Sequence, residues 1–207
     1  MPGHERRVAR AEPEHRVRDL VDRADAADRV HADALRALAA WTAPDAAQER
    51  LRRDYVQHLE RHPDGARRGC FPDHLTAGTL VLSHDGEAVL LNLHRKARRW
   101  FAFGGHVEPD DASLADAALR EAVEESGVTD LDFGAEPVHL DLHEVGFCDP
   151  RGTVRHFDVR YCAVAPADAD HQTSDESLDV RWWPLDGLPE IEDEMHRLIA
   201  LARARRF

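Results

Sequence analysis

Two short stretches constrain this chain more than any other: Gly104-Gly105-His106-Val107-Glu108, and Arg120-Glu121-Ala122-Val123-Glu124-Glu125-Ser126-Gly127-Val128. Glu121, Glu124 and Glu125 stand at i, i+3 and i+4, so a helix puts all three on one face. Left alone, such a cluster repels itself and weakens the helix that carries it. A divalent cation reverses the effect, because Mg²⁺ and Mn²⁺ favour clustered carboxylate oxygens and bridge them to phosphates. A solvated acidic face would account for the glutamates, but not for the preceding Gly-Gly, the Arg120 that begins the run or the Gly127 that ends it. Ser113, with Asp116 three residues on, reads as the N-cap of this helix. Ala115, Ala118, Leu119, Ala122 and Val123 read as its buried stripe, opposite the glutamates.

Together the two stretches resemble the Nudix box, whose family pattern is G-x5-E-x7-R-E-U-x-E-E-x-G-U, with U aliphatic. The second half matches at Arg120, Glu121, Glu124, Glu125 and Gly127, with Ala122 and Val128 at the aliphatic sites. In the first half Asp111 holds the early glutamate position, and eight residues rather than seven precede Arg120, a one-residue insertion before the helix. The resemblance runs over about residues 73–190. It implies an α/β fold, the family's α/β/α sandwich with a mixed sheet, over residues 67–207, preceded by a helical N-terminal extension over 1–66. It also implies a Mg²⁺- or Mn²⁺-dependent diphosphatase whose small-molecule substrate is a nucleoside diphosphate linked to another group. Glu121, Glu124, Glu125 and the Gly105 carbonyl would then hold the metal, and Arg120 would orient a carboxylate. The general base falls to a later loop, at Glu176 or the adjacent Asp175, where plain loop decoration is the competing reading.

Periodicity orders the rest. Residues 1–15 are charged and Pro-containing and are expected to order poorly, and a helical pattern runs from Val17 to about His62. Leu51, Tyr55 and Leu59 recur every four residues there, and Pro63-Asp64-Gly65 stops the pattern. This leader is expected to be a dimer surface, a lid, or a packed extension of the core. Strands are expected at Leu75–Leu82, Glu87–His94, Val138–Val145, Val154–Val164 and Val180–Pro184, and a last helix from Glu190.

For substrate phosphates the candidates are Arg95, Lys96 and Arg99, of which alternation sends only some toward the cleft, with His106 meeting substrate; a base would stack on Trp100 or Phe103, for which buried packing is the competing and commoner reading. A second metal constellation consists of His74, His106, His156 and Asp158, the last two on one face of a strand at i, i+2. In type I isopentenyl diphosphate isomerase, a relative that shares the fold, histidines in similar places bind a divalent metal. Four such N/O ligands suit Zn²⁺ or Mn²⁺. Ordinary hydrogen bonding is the competing reading, since the chain has 14 histidines.

Rival functions are weaker. The isomerase's catalytic cysteine would fall where Gly104 stands, and the intact glutamates argue against a non-catalytic nucleotide sensor. Net charge of −13 disfavours nucleic acid as a partner. No apolar run is long enough to cross a membrane, and no apolar stretch follows Met1-Pro2-Gly3-His4. Cys70, Cys148 and Cys162 make no disulfide framework, so a reducing cytoplasm is the expected compartment. Pro137 falls too early and Pro150 too late for an ADP-ribose hydrolase's proline, and no tyrosine lies between Tyr55 and Tyr161 for a dinucleoside polyphosphate hydrolase. These absences lean toward a small nucleotide.

Overall fold

The computed structural model describes residues 29–206, so the readings made for residues 1–28 lie outside the described residues. Helix α1 covers residues 29–40, with Val30, Ala34 and Leu38 buried at four-residue spacing. Helix α2, Ala46–Arg61, begins at Asp45, whose side chain accepts from the backbone N–H of Ala47 and Gln48. Tyr55 and Leu59 are buried as their period requires, while Leu51 is half-buried.

Seven strands follow: β1 (Asp73–Leu82), β2 (Ala88–His94), β3 (Trp100–Phe101), β4 (Phe103–His106), β5 (Asp132–Asp149), β6 (Gly152–Val164) and β7 (Ser177–Pro184). Helix α3, Leu114–Ser126, lies between β4 and β5, and α4, Asp193–Arg206, closes the described chain. One sheet runs β3-β2-β1-β6-β5, with β4 also on β1 and β7 also on β2. It is mixed, because β1 runs parallel to β6 and antiparallel to β2 and β4. Central β1 is buried from His74 to Leu82, as a strand covered on both faces must be.

Alternation on β1 sorts the layers. Leu75 and Ala77 share a core with α1, α2 and α3, and Val81 joins Phe103 and Ala122; Leu80 and Leu82 pack with Met195, Leu198, Ile199 and Ala202 of α4. The architecture is therefore the expected α/β/α sandwich. Of the three readings of the leader, α1 and α2 follow the packed extension. Gln48 bonds both backbone groups of Leu140, at 2.9 and 2.7 Å, and the Tyr55 hydroxyl donates to the Asp141 carbonyl at 2.6 Å. Removing Gln48 would strand a buried N–H and a buried carbonyl, each costing about 1–3 kcal/mol.

Three local expectations need correction. Residues 100–106, where no strand is expected from the sequence, contain β3 and β4; glycines lower strand propensity, but the ladders to β2 and β1 override it. Strand β5 extends past Val145 to Asp149 across an irregularity in its pairing with β6. The buried face of α3 is Leu114, Ala117, Ala118, Ala122, Glu125 and Ser126, while Ala115, Leu119 and Val123 are half-buried. The helix is rotated relative to the simple amphipathic reading, and one of its glutamates points inward.

Candidate active site

Helix α3 starts where Ser113 accepts from the Asp116 N–H at 3.0 Å, as its sequence predicts. It stops at Gly127, whose φ of 75° a side chain would strain. Small residues on its inner face bring it close to β4. A methyl group at Gly105 would lie 2.4 Å from a Glu121 carboxylate oxygen, so glycine is required for that carboxylate to sit against the strand. Gly104 is equally confined: a methyl there would meet the Gly78 Cα at 2.8 Å, leaving no place for an isomerase's cysteine.

Arg120 organises the carboxylates. Its Nε and Nη2 bond the two Asp111 oxygens, both at 3.0 Å, and Nη1 bonds Glu121 and Glu124, also at 3.0 Å. Nη2 additionally donates to the His106 carbonyl at 3.0 Å. Asp111 thus has a definite task despite the insertion: buried, and accepting from the Glu108 N–H at 2.7 Å, it locks the guanidinium in a bidentate fork. These carboxylates hold the Arg120 guanidinium protonated well beyond its ordinary range, against the cost of its burial.

Glu125 is outside that reach. It is only 6% exposed, its one hydrogen-bond donor among the described residues is the Gly104 N–H at 3.0 Å, and burial pushes its carboxyl up to about 8, with Glu121, Glu176 and Glu124 adding repulsion. Burial likewise raises the Glu121 carboxyl, partly offset by Arg120. One guanidinium therefore faces Asp111, Glu121 and Glu124, and the innermost glutamate is left without a cation. An all-oxygen donor set with a charge deficit and a carboxylate resisting burial fits Mg²⁺ or Mn²⁺.

The remaining expected residues separate. Glu176 is exposed, and its charge acts on Glu121, Glu125 and His94. Arg95 fastens that loop, donating to the carbonyls of Asp175 at 2.8 Å and Ser177 at 3.0 Å, so it positions Glu176 rather than reaching freely for phosphate. Arg99 pairs with Glu192. Lys96 lies 5.8 Å from the Phe147 ring centroid. Phe103 is core and Trp100 packs edge-on to Trp183, so both follow the packing reading rather than that of a base platform. Phe147, which the sequence reading passed over, is 51% exposed and stacks on His94 with ring centroids 5.8 Å apart.

The histidines do converge, with one change of member. His106 Nε2 lies 3.1 Å from His74 Nε2, and the Cys148 thiol lies 3.3 Å from His106 Nε2 and 3.4 Å from His156 Nε2. Burial lowers all three imidazoles, His106 to about 4 and His156 to about 3. Asp158 stands apart, because Arg160 takes one of its oxygens at 2.8 Å and the Thr76 hydroxyl the other at 3.0 Å. His106, offered by the sequence both to substrate and to this cluster, has its imidazole in the cluster.

A family model described as the NUDIX domain matches residues 72–202. A Nudix-family hydrolase from Clostridium perfringens superposes with a TM-score of 0.51 at 22% identity, covering 65% of this chain and 98% of its own. The Ap4A hydrolase of Caenorhabditis elegans, solved as a binary complex, gives 0.54 at 22% identity, covering 64% and 96%. At such identity these likenesses show the fold alone. No curated protein matches the chain.

Proposed function

The chain belongs to the Nudix family, and from that premise we propose that it is a Mg²⁺- or Mn²⁺-dependent hydrolase that cleaves a diphosphate linkage in a nucleotide-type small molecule. The observation that carries this reading is Glu125, a buried carboxylate crowded by Glu121, Glu124 and Glu176, beyond the reach of the guanidinium that serves its neighbours.

Glu121, Glu124, Glu125 and the Gly105 carbonyl would hold the cation. When bound it neutralises the diphosphate and lowers the barrier to water's attack on phosphorus. Arg120 keeps Glu121 and Glu124 aimed through its fork on Asp111, so the ligands need little reorganisation. Glu176, presented by the loop that Arg95 fastens, accepts a proton from the attacking water as the phosphorus–oxygen anhydride bond breaks. Asp175 is the alternative base; its carbonyl is tied to Arg95 while its carboxylate stays exposed. Exposed Phe147, backed by His94 and close to Lys96, offers a face for a base and a charge for a phosphate. Among the described residues no helix is long and apolar enough to cross a membrane.

The test is a Mg²⁺-dependent hydrolysis screen over nucleoside triphosphates, oxidised nucleotides, nucleotide sugars and dinucleoside polyphosphates, with products read by mass and Glu125→Gln as control. Turnover of one class, lost in the control, is the expected result. Binding of a panel member without turnover would contradict the hydrolase and favour a sensor.

A further inference from the structure

Four side chains on the sheet face opposite α3 have no part in the hydrolysis above. They come one each from four strands: His74 on β1, His106 on β4, Cys148 on β5 and His156 on β6. Their Nε2, Nδ1 or Sγ ligand atoms all lie within 4.8 Å of one another. We propose that they form a closed, structural Zn²⁺ site that ties β4 to the β5–β6 hairpin.

The spacing suits a tetrahedral ion. Zn–N bonds of 2.0–2.1 Å and a Zn–S bond near 2.3 Å require ligand atoms about 3.3 Å apart for N···N and about 3.5 Å for N···S. The contacts here are 3.1 Å between His106 and His74, 3.3 Å between Cys148 and His106, and 3.4 Å between Cys148 and His156. Protons alone serve these contacts poorly. The His74 Nδ1 lies 3.0 Å from the Cys70 carbonyl, so a neutral His74 donates there and leaves Nε2 as a lone pair. An N–H on His106 satisfies that lone pair, and an S–H on Cys148 satisfies His156. The Cys148–His106 contact is then left without a proton of its own, whereas one cation satisfies all four atoms.

Three imidazoles and a thiolate are a borderline-soft set that selects Zn²⁺ over the Mg²⁺ suited to the glutamates. Four protein ligands leave no open position, so the ion is structural rather than a second catalytic centre. The Cys70 carbonyl is the outer-shell partner that ligating histidines characteristically have. The location gives the ion a purpose. Among the described residues β4 pairs with β1 alone, yet it carries Gly104 and Gly105, on which the glutamate site depends. A bond from His106 to Cys148 and His156 would fasten β4 to a hairpin with which it shares no ladder.

The experiment uses the full chain, expressed with zinc in the medium, and measures metal by mass spectrometry. One zinc per chain is expected, and it should survive Asp158→Asn and Glu125→Gln. Cys148→Ser and His156→Ala should each weaken zinc retention by more than about 100-fold, since outer-shell changes alone cost 10–100-fold. If those variants do not fold, metal-free wild type is titrated with Co²⁺. A sulfur-to-cobalt charge-transfer band with strong tetrahedral visible bands supports the site. Zinc-free wild type that also gives no charge-transfer band with Co²⁺ would overturn it, as would zinc lost with Glu125→Gln and kept with Cys148→Ser.

Discussion

Two clusters of donor side chains lie on the two faces of the sheet, and they are built in opposite ways. On one face, three glutamates come from a single helix, within five residues of sequence, and one arginine holds two of them against a glycine strand. On the other, three histidines and a cysteine come from four strands spread over residues 74–156. The first is hard, anionic and short of a cation; the second is soft, neutral and compact. They meet at His106, whose carbonyl bonds Arg120 while its imidazole joins the second cluster. Ligands adjacent in sequence need only a helix to align them, whereas ligands from four strands need the whole sheet, and that difference governs both chemistry and legibility.

The largest expected effect falls on the helix cluster. Glu125→Gln should lower turnover by roughly a thousandfold or more while leaving the fold intact, because a ligand charge is lost without a change of shape. Steady-state kinetics beside circular dichroism checks this, and near-normal rates in Mg²⁺ would break the assignment. Arg120→Lys comes next. Lysine keeps the charge but cannot make the fork to Asp111, so stability should fall by about 2 kcal/mol in urea unfolding and turnover by about tenfold to a hundredfold. An unchanged urea midpoint would mean that the fork contributes little.

The contrast also accounts for what the sequence made legible. Cap, arginine, glutamates and terminal glycine are local, and a helix turns their spacing directly into geometry. The second cluster was half legible. Strand alternation does put His156 and Asp158 on one face, but Arg160, two residues further on, captures Asp158 in an ion pair. Cys148 was hidden because regular alternation from His143, the partner of His156, would send it to the opposite face. The irregularity between Val145 and Asp149 re-aims it, and that depends on the β6 pairing rather than on any local signal. Phe147, in the same irregular stretch, escaped notice for the same reason. The inward turn of Glu125 was equally non-local, since the Gly104 N–H on another element draws it in.

Two smaller effects sharpen the comparison. Phe147→Ala should raise KM about tenfold with kcat nearly unchanged if its ring stacks a base outside the metal cluster. A fall in kcat instead would place it nearer the reacting bond. The smallest effect concerns His58, on α2 rather than α3, stacked on Phe157 and largely buried. Burial, assisted by nearby His62, lowers its pKa in the folded state. The unfolded chain therefore takes up the proton first, and stability is lost as pH falls below about 6.5. His58→Phe should flatten the fall of urea stability below about pH 6.5 without touching turnover. An unaltered slope would assign the acid sensitivity to other buried imidazoles.

The most direct test of two separate metal chemistries is a Mn²⁺ titration followed by electron paramagnetic resonance on wild type, Glu125→Gln and Cys148→Ser. Wild type and Cys148→Ser should bind Mn²⁺ alike, while Glu125→Gln should lose most of the affinity. Equal binding by Glu125→Gln and wild type would contradict the glutamate site.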